Sequence, residues 1–231
     1  MTRAAGGPRP WWASAFFVLG TLLSLLAPPL VAGVFTDQDP AVLVVVAVVE
    51  LALVWGLVRW WLHRRNLSWR DTGLARTHWL RDAALGAAIV PVRLLLEFGV
   101  LVPASGGASN PGVVEVLDNA AAGAAAVAAT LVLGVVGGGV AEELWFRGFL
   151  MGVLPEAFGE RQRAVWVAAL VSVVLFAVLH FPVNGPDVVS ILVAGTSYAG
   201  LFLVTGRLTA SVVSHSLWNI AAVVVVLAIH G

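Results

Sequence analysis

The sequence predicts an all-α membrane protein, a polytopic helical bundle with about seven transmembrane helices. Three observations predict it. Hydrophobic residues make up 60% of the 231 and charged residues only 11%, where an ordinary soluble domain carries roughly 25% charge. Several apolar runs exceed the roughly 18 residues needed to cross about 30 Å of hydrocarbon. The 13 basic residues, all arginine, gather almost entirely in alternate connections between those runs, as the positive-inside rule requires.

A short polar tail (1–10) with Arg3 and Arg9 precedes the first span, expected at 11–35. That run is too long for a signal-peptide core and lacks a convincing cleavage site, so it reads as a retained helix that Pro28-Pro29 kink or end early. An acidic turn (36–40) leads to the second span, 41–61, which carries Glu50. The connection 63–82 is rich in Arg and Trp, and Trp69, Leu74 and Trp79 suggest a segment at headgroup level. The third span, 83–102, contains Pro91, Arg93 and Glu97, and 103–118 reads as a Gly/Ser/Pro/Asn loop. The fourth is expected at 120–155, the fifth at 165–181, the sixth at 188–204 and the seventh at 208–229.

Arginine placement sets an expected orientation. Arg3, Arg9, the six arginines from Arg59 to Arg81, Arg161, Arg163 and Arg207 all fall on one side, leaving Arg93 and Arg147 at membrane depth. The N-terminus is therefore expected in the cytoplasm. The bias toward Ala, Val, Gly and Arg suggests a GC-rich bacterial source, hence a multi-pass protein of the inner membrane. Zero net charge gives no reason to expect a nucleic-acid partner, and the absence of cysteine excludes disulfides, thiolate metal sites and a cysteine nucleophile.

The chemistry concentrates at Ala141-Glu142-Glu143-Leu144-Trp145-Phe146-Arg147, inside an otherwise apolar run. Each ionisable group at that depth costs roughly 2.5–3.5 kcal/mol on insertion scales, so it is seldom there without a partner or a task. On an α-helix Glu143 and Arg147 share a face and pair, leaving Glu142 about 100° away and free for chemistry. Two more spans carry polar pairs at the same spacing: Phe176 with His180, and His215 with Asn219. None stays unpaired cheaply in lipid, so spans four, five and seven are expected to turn these faces into one interior pocket. His215, only eight residues past Arg207, is expected nearer the cytoplasmic end than Glu142.

Glu-Glu-x-x-x-Arg, then Phe-x-x-x-His, then His-x-x-x-Asn, each on its own membrane helix, resembles the CPBP family of CAAX prenyl endopeptidases and bacteriocin-processing, Abi-like proteins. The likeness covers roughly 134–229, including Arg-Gly-Phe-Leu at 147–150 and Thr-Gly-Arg-Leu at 205–208, so the chain divides into N-terminal helices (1–110) and a CPBP/Abi-like catalytic domain (111–231). The resemblance implies an intramembrane glutamic endopeptidase acting on a membrane-associated or hydrophobic peptide. In it Glu142 and His180 would activate water, Glu143 and Arg147 would hold the site in shape, and His215 with Asn219 would bind the oxyanion. A carboxylate in a low dielectric can serve as base near neutral pH, and His and Asn donors can face developing charge. Prenylation-dependent cleavage is not expected of a bacterial chain.

Other readings accompany this one. Arg93, Glu97 and Glu50 are expected to form a buried salt-bridge cluster, with cavity lining as the alternative. Two glutamates and two histidines could hold zinc, but no His-Glu-x-x-His helix is present and Arg147 opposes a dication, so metal-independent hydrolysis is preferred. The rivals are a non-catalytic scaffold or bacteriocin-immunity protein of the same fold, and a small transporter. Transport would call for broken helices in matching halves, and only Gly137–Gly139 offers a break.

Overall fold

Hydrophobic length decides the architecture, since a backbone in lipid satisfies its own hydrogen bonds only as a helix or a closed barrel. The computed structural model describes residues 10–35, 39–158 and 161–231; the tail with Arg3 and Arg9 and the turn at 36–38 lie outside them. Every element is helical, with no strand among the described residues. Among the described residues seven helices are long and apolar enough to cross a membrane: α1 (Trp11–Leu30), α2 (Pro40–Arg65), α3 (Trp79–Ala104), α5 (Ala124–Phe158), α6 (Arg161–Leu179), α7 (Gly185–Thr205) and α8 (Leu208–His230). The eighth, α4 (Pro111–Ala121), is short and lies between the third and fourth spans.

Three local expectations change. Pro28-Pro29 do not end the first span, which stays helical to Phe35. The turn before them, Leu22–Leu26, loosens to i→i+5 hydrogen bonding, with the Ala27 N–H reaching the Leu22 carbonyl, and so absorbs the two missing proline donors. The expected loop at 103–118 instead includes α4. Asn110 caps it through Oδ1, which accepts from the backbone N–H of Gly112 (2.9 Å) and Val113 (3.3 Å), and Pro111 stands at its first position. Val113 then packs with Val102 and Val226.

The third change concerns the fourth span. From Leu133 to Glu142 and again from Leu144 to Val153, α5 is wound in the wide i→i+5 fashion instead of as a simple α-helix. Such winding is rare and frequently marks functional sites. Glycines let α8 lie against the backbone of this stretch. A Cβ on Gly134 would sit 3.1 Å from Asn219 Cβ, and one on Gly139 would clash with the Ser216 hydroxyl. Gly137–Gly139 is thus a close-packing surface and not a break.

The connection after α2 positions the start of α8. Asp71 Oδ2 accepts from the Ser68 N–H (2.7 Å) and hydroxyl (2.9 Å), closing one tight turn at Trp69–Thr72. Trp69 stacks on Trp55 of α2 at 4.0 Å, while Trp79 stays 55% exposed, as an interfacial anchor would. Gly73, at φ +80°, accepts a 3.0 Å hydrogen bond from Leu208 N–H, and a Cβ there would lie 2.9 Å from the Gly206 carbonyl oxygen. Only glycine suits both conditions. Thr72 and Leu208 both reach Gly148 of α5, so α8 begins deep, level with the motif helix. Asp82 then ties α3 to the turn before α8, accepting from Arg207 Nε (2.5 Å) and Nη2 (2.7 Å).

Candidate active site

The deep start of α8 removes the depth mismatch expected for His215. From Gly148, five residues back along α5 give Glu143, and seven residues forward from Leu208 give His215; the climbs are similar in an antiparallel pair. The two side chains meet. His215 Nδ1–H donates to Glu143 Oε1 at 3.0 Å, and Arg147 Nη1 donates to the same oxygen at 2.9 Å. Glu143 and Arg147 have no exposure and His215 only 4%. The expected Glu143–Arg147 pair therefore forms, with a histidine added.

Arg147 is held from several sides. Its Nη2 donates to the Gly195 carbonyl on α7 at 3.1 Å, and its guanidinium lies 4.9 Å from the Phe176 ring and 5.5 Å from Tyr198. Phe176 stands between the two imidazoles, 4.2 Å from His180 and 5.7 Å from His215, centroid to centroid. The fifth and seventh spans thus meet at one aromatic ring.

His180 lies just past the last residue of α6 and is exposed. Its Nδ1–H donates to the Phe176 carbonyl at 2.7 Å. A proton fixed on Nδ1 leaves Nε2 as the lone-pair nitrogen. Phe176 marks the level of Arg147. Four residues on along α6 and five back along the antiparallel α5 lead the same way, so His180 and Glu142 occupy similar depth. Glu142 remains half-buried, and its Oε2, like Glu143 Oε2, is buried with no hydrogen-bond partner among the described residues; Arg147 serves Glu143.

Asn219 donates from Nδ2 to the Gly134 carbonyl at 2.6 Å, clamping α8 to α5. It also faces Gly138 together with His215. A Cβ on Gly138 would lie 3.1 Å from Asn219 Nδ2 and 3.2 Å from His215 Nε2. The missing side chain leaves a half-buried notch on which two polar nitrogens converge.

The expected cluster of Arg93, Glu97 and Glu50 does not form among the described residues; each finds its own surroundings. Arg93 Nη1 donates to Tyr198 Oη at 2.5 Å and stacks over Trp218 at 3.9 Å. Glu97 accepts from Ser190 Oγ at 2.5 Å. Glu50, on α2, presses against Gly137. Arg93 and Glu97 satisfy themselves across helix interfaces because α7 and α8 offer hydroxyl and ring partners closer than one another. Motif spacing does not point to Tyr198, yet it is buried, stacked on His215 at 4.5 Å and 17°, and bonded to Arg93. The signal available is that it is the single tyrosine of the chain, set within a span.

No group of three or more His, Cys, Asp or Glu side chains is arranged to hold a metal among the described residues. Comparison with curated proteins finds no match, and neither does comparison with solved structures. Residues 124–221 match the family described as Rce1-like, type II CAAX prenyl endopeptidase. That stretch takes in Glu142, Glu143, Arg147, His180, His215 and Asn219. The matched stretch runs through the helices that gather these side chains, α5 to α8, and is similar there to the Rce1-like family of type II CAAX prenyl endopeptidases.

Proposed function

We propose that the protein is an intramembrane glutamic endopeptidase that hydrolyses a membrane-associated or hydrophobic peptide near its end. The observation that carries this reading is the contrast between the two adjacent glutamates. Glu143 is engaged through Oε1 by both Arg147 and His215, while neither of them bonds Glu142, whose buried Oε2 has no hydrogen-bond partner among the described residues. A carboxylate held that way can take a proton from water.

In the reaction, a water between Glu142 and His180 Nε2 attacks the scissile carbonyl carbon. Its proton passes to Glu142, and the carbonyl electrons move to oxygen. His215 Nε2, when protonated, and an Asn219 N–H face that oxygen at the Gly138 notch and stabilise the charge. Glu142 returns the proton to the amine as the C–N bond breaks. Glu143 and Arg147 do not touch the reacting atoms; they orient His215. The partners are a peptide substrate and the bilayer, with the N-terminus on the cytoplasmic side.

Purified protein in detergent should cleave a quenched-fluorescent hydrophobic peptide or its farnesylated Cys-aliphatic-aliphatic-X counterpart, and the preference between the two identifies the substrate class. Glu142→Gln should lower kcat by about 10²–10⁴-fold. Equal cleavage with and without that substitution would sink the reading. In cells, membrane proteomics of wild type against a Glu142→Gln strain should show a peptide that stays uncut.

A further inference from the structure

A third carboxyl group approaches the motif helix from α2, outside the segment that matches the family. Glu50 is 8% exposed, and no cation pairs with it among the described residues. Its Oε2 lies 2.6 Å from where a Cβ on Gly137 would stand, so only glycine lets it approach. Gly137 precedes Glu142 by five residues, about one turn of the i→i+5 winding. Glu50 therefore meets α5 about one turn before Glu142. Among the described residues Glu142 Oε2 has no hydrogen-bond partner. Two carboxyl groups close together in a low dielectric are held at least cost when they share a proton.

We propose that Glu50 is a positioning residue for Glu142, its protonated carboxyl holding Glu142 Oε2 through one bridging water so that Oε1 faces the attacking water. This rests on Glu142 being the base. No bond to substrate is made by Glu50, and its proton stays in the pair throughout turnover. Gly137 is the second half of the device, because a methyl group there pushes the Glu50 carboxyl out of place.

The test compares Glu50→Leu, Glu50→Gln, Gly137→Ala and Glu142→Gln for kcat, KM and thermal midpoint in detergent, using the two peptides above. Glu50→Leu should lower kcat about 10²-fold with KM and midpoint unchanged, while Glu50→Gln, which keeps an N–H donor, stays within about threefold of wild type. Gly137→Ala should resemble Glu50→Leu, and it decides the matter if the leucine variant fails to fold. Wild-type kcat in Glu50→Leu, beside an inactive Glu142→Gln, refutes this proposal alone. An active Glu142→Gln refutes the reading beneath it. A loss that tracks a fallen midpoint makes Glu50 structural and also overturns the proposal. An infrared spectrum needs no substrate: the wild type should show a protonated-carboxyl stretch that Glu50→Leu removes and Glu142→Gln shifts, and its absence refutes the shared proton.

Discussion

Two sides of α5 are buried by opposite means. Toward α1 and α2 it presents rings: Trp145 stacks on Phe17 at 5.5 Å and on Phe149 at 4.9 Å, and Phe16 packs on Phe149 at 5.6 Å. Within this ring cluster Trp145 Nε1–H donates to Thr21 Oγ1 at 2.9 Å. Toward α7 and α8 it presents glycine backbone and the Glu143–Arg147–His215 set. Both sides exclude lipid, but the first is held by shape and the second by charge. In a bilayer the hydrophobic effect does not drive helices together, so packing and polar pairing must do so separately. The ring side can lose an atom and relax; the charged side cannot lose a partner.

The largest expected effect comes from breaking the charged side. Arg147→Met leaves Glu143 buried without its cation, and should cost about 3–5 kcal/mol of stability together with activity, read by unfolding in mixed micelles. On the ring side, Trp145→Phe removes one hydrogen bond and part of a ring. It should cost about 1–2 kcal/mol, with activity per folded molecule kept. A loss of turnover in that variant beyond its loss of folded protein would show that the two sides are coupled. The smallest stability effect should be Gly138→Ala, under about 1 kcal/mol, because the methyl enters a half-open notch. Its turnover should nonetheless fall about 10²-fold, since the methyl occupies the place where His215 and Asn219 converge. Normal turnover there would remove the notch from the mechanism.

Much of this comparison is legible in the chain itself. The apolar runs locate all seven spans, and i, i+4 spacing identifies the Glu143–Arg147, Phe176–His180 and His215–Asn219 pairs, because one helix brings such residues together whatever surrounds it. What stays hidden depends on other helices. The depth of His215 follows from Gly73 catching Leu208 N–H, a contact between residues far apart in sequence. Arg93 meets Tyr198 instead of Glu97 for the same reason. The winding of α5 is also invisible to a pattern that assumes 3.6 residues per turn, and α4 is obscured by the glycines around its Asn-Pro cap.

That winding has a consequence for how much one span can carry. At the α-helical rise, the 35 residues of α5 would stretch about 52 Å, far beyond the roughly 30 Å of hydrocarbon. Coiling more residues into each turn shortens the rod and crowds its side chains along the membrane normal. A single crossing thereby supplies a ring-bearing flank, a charge-bearing flank and a bare backbone strip. A one-residue deletion between 133 and 153 would rotate all three out of register at once, which makes this helix the least forgiving place in the chain to shorten.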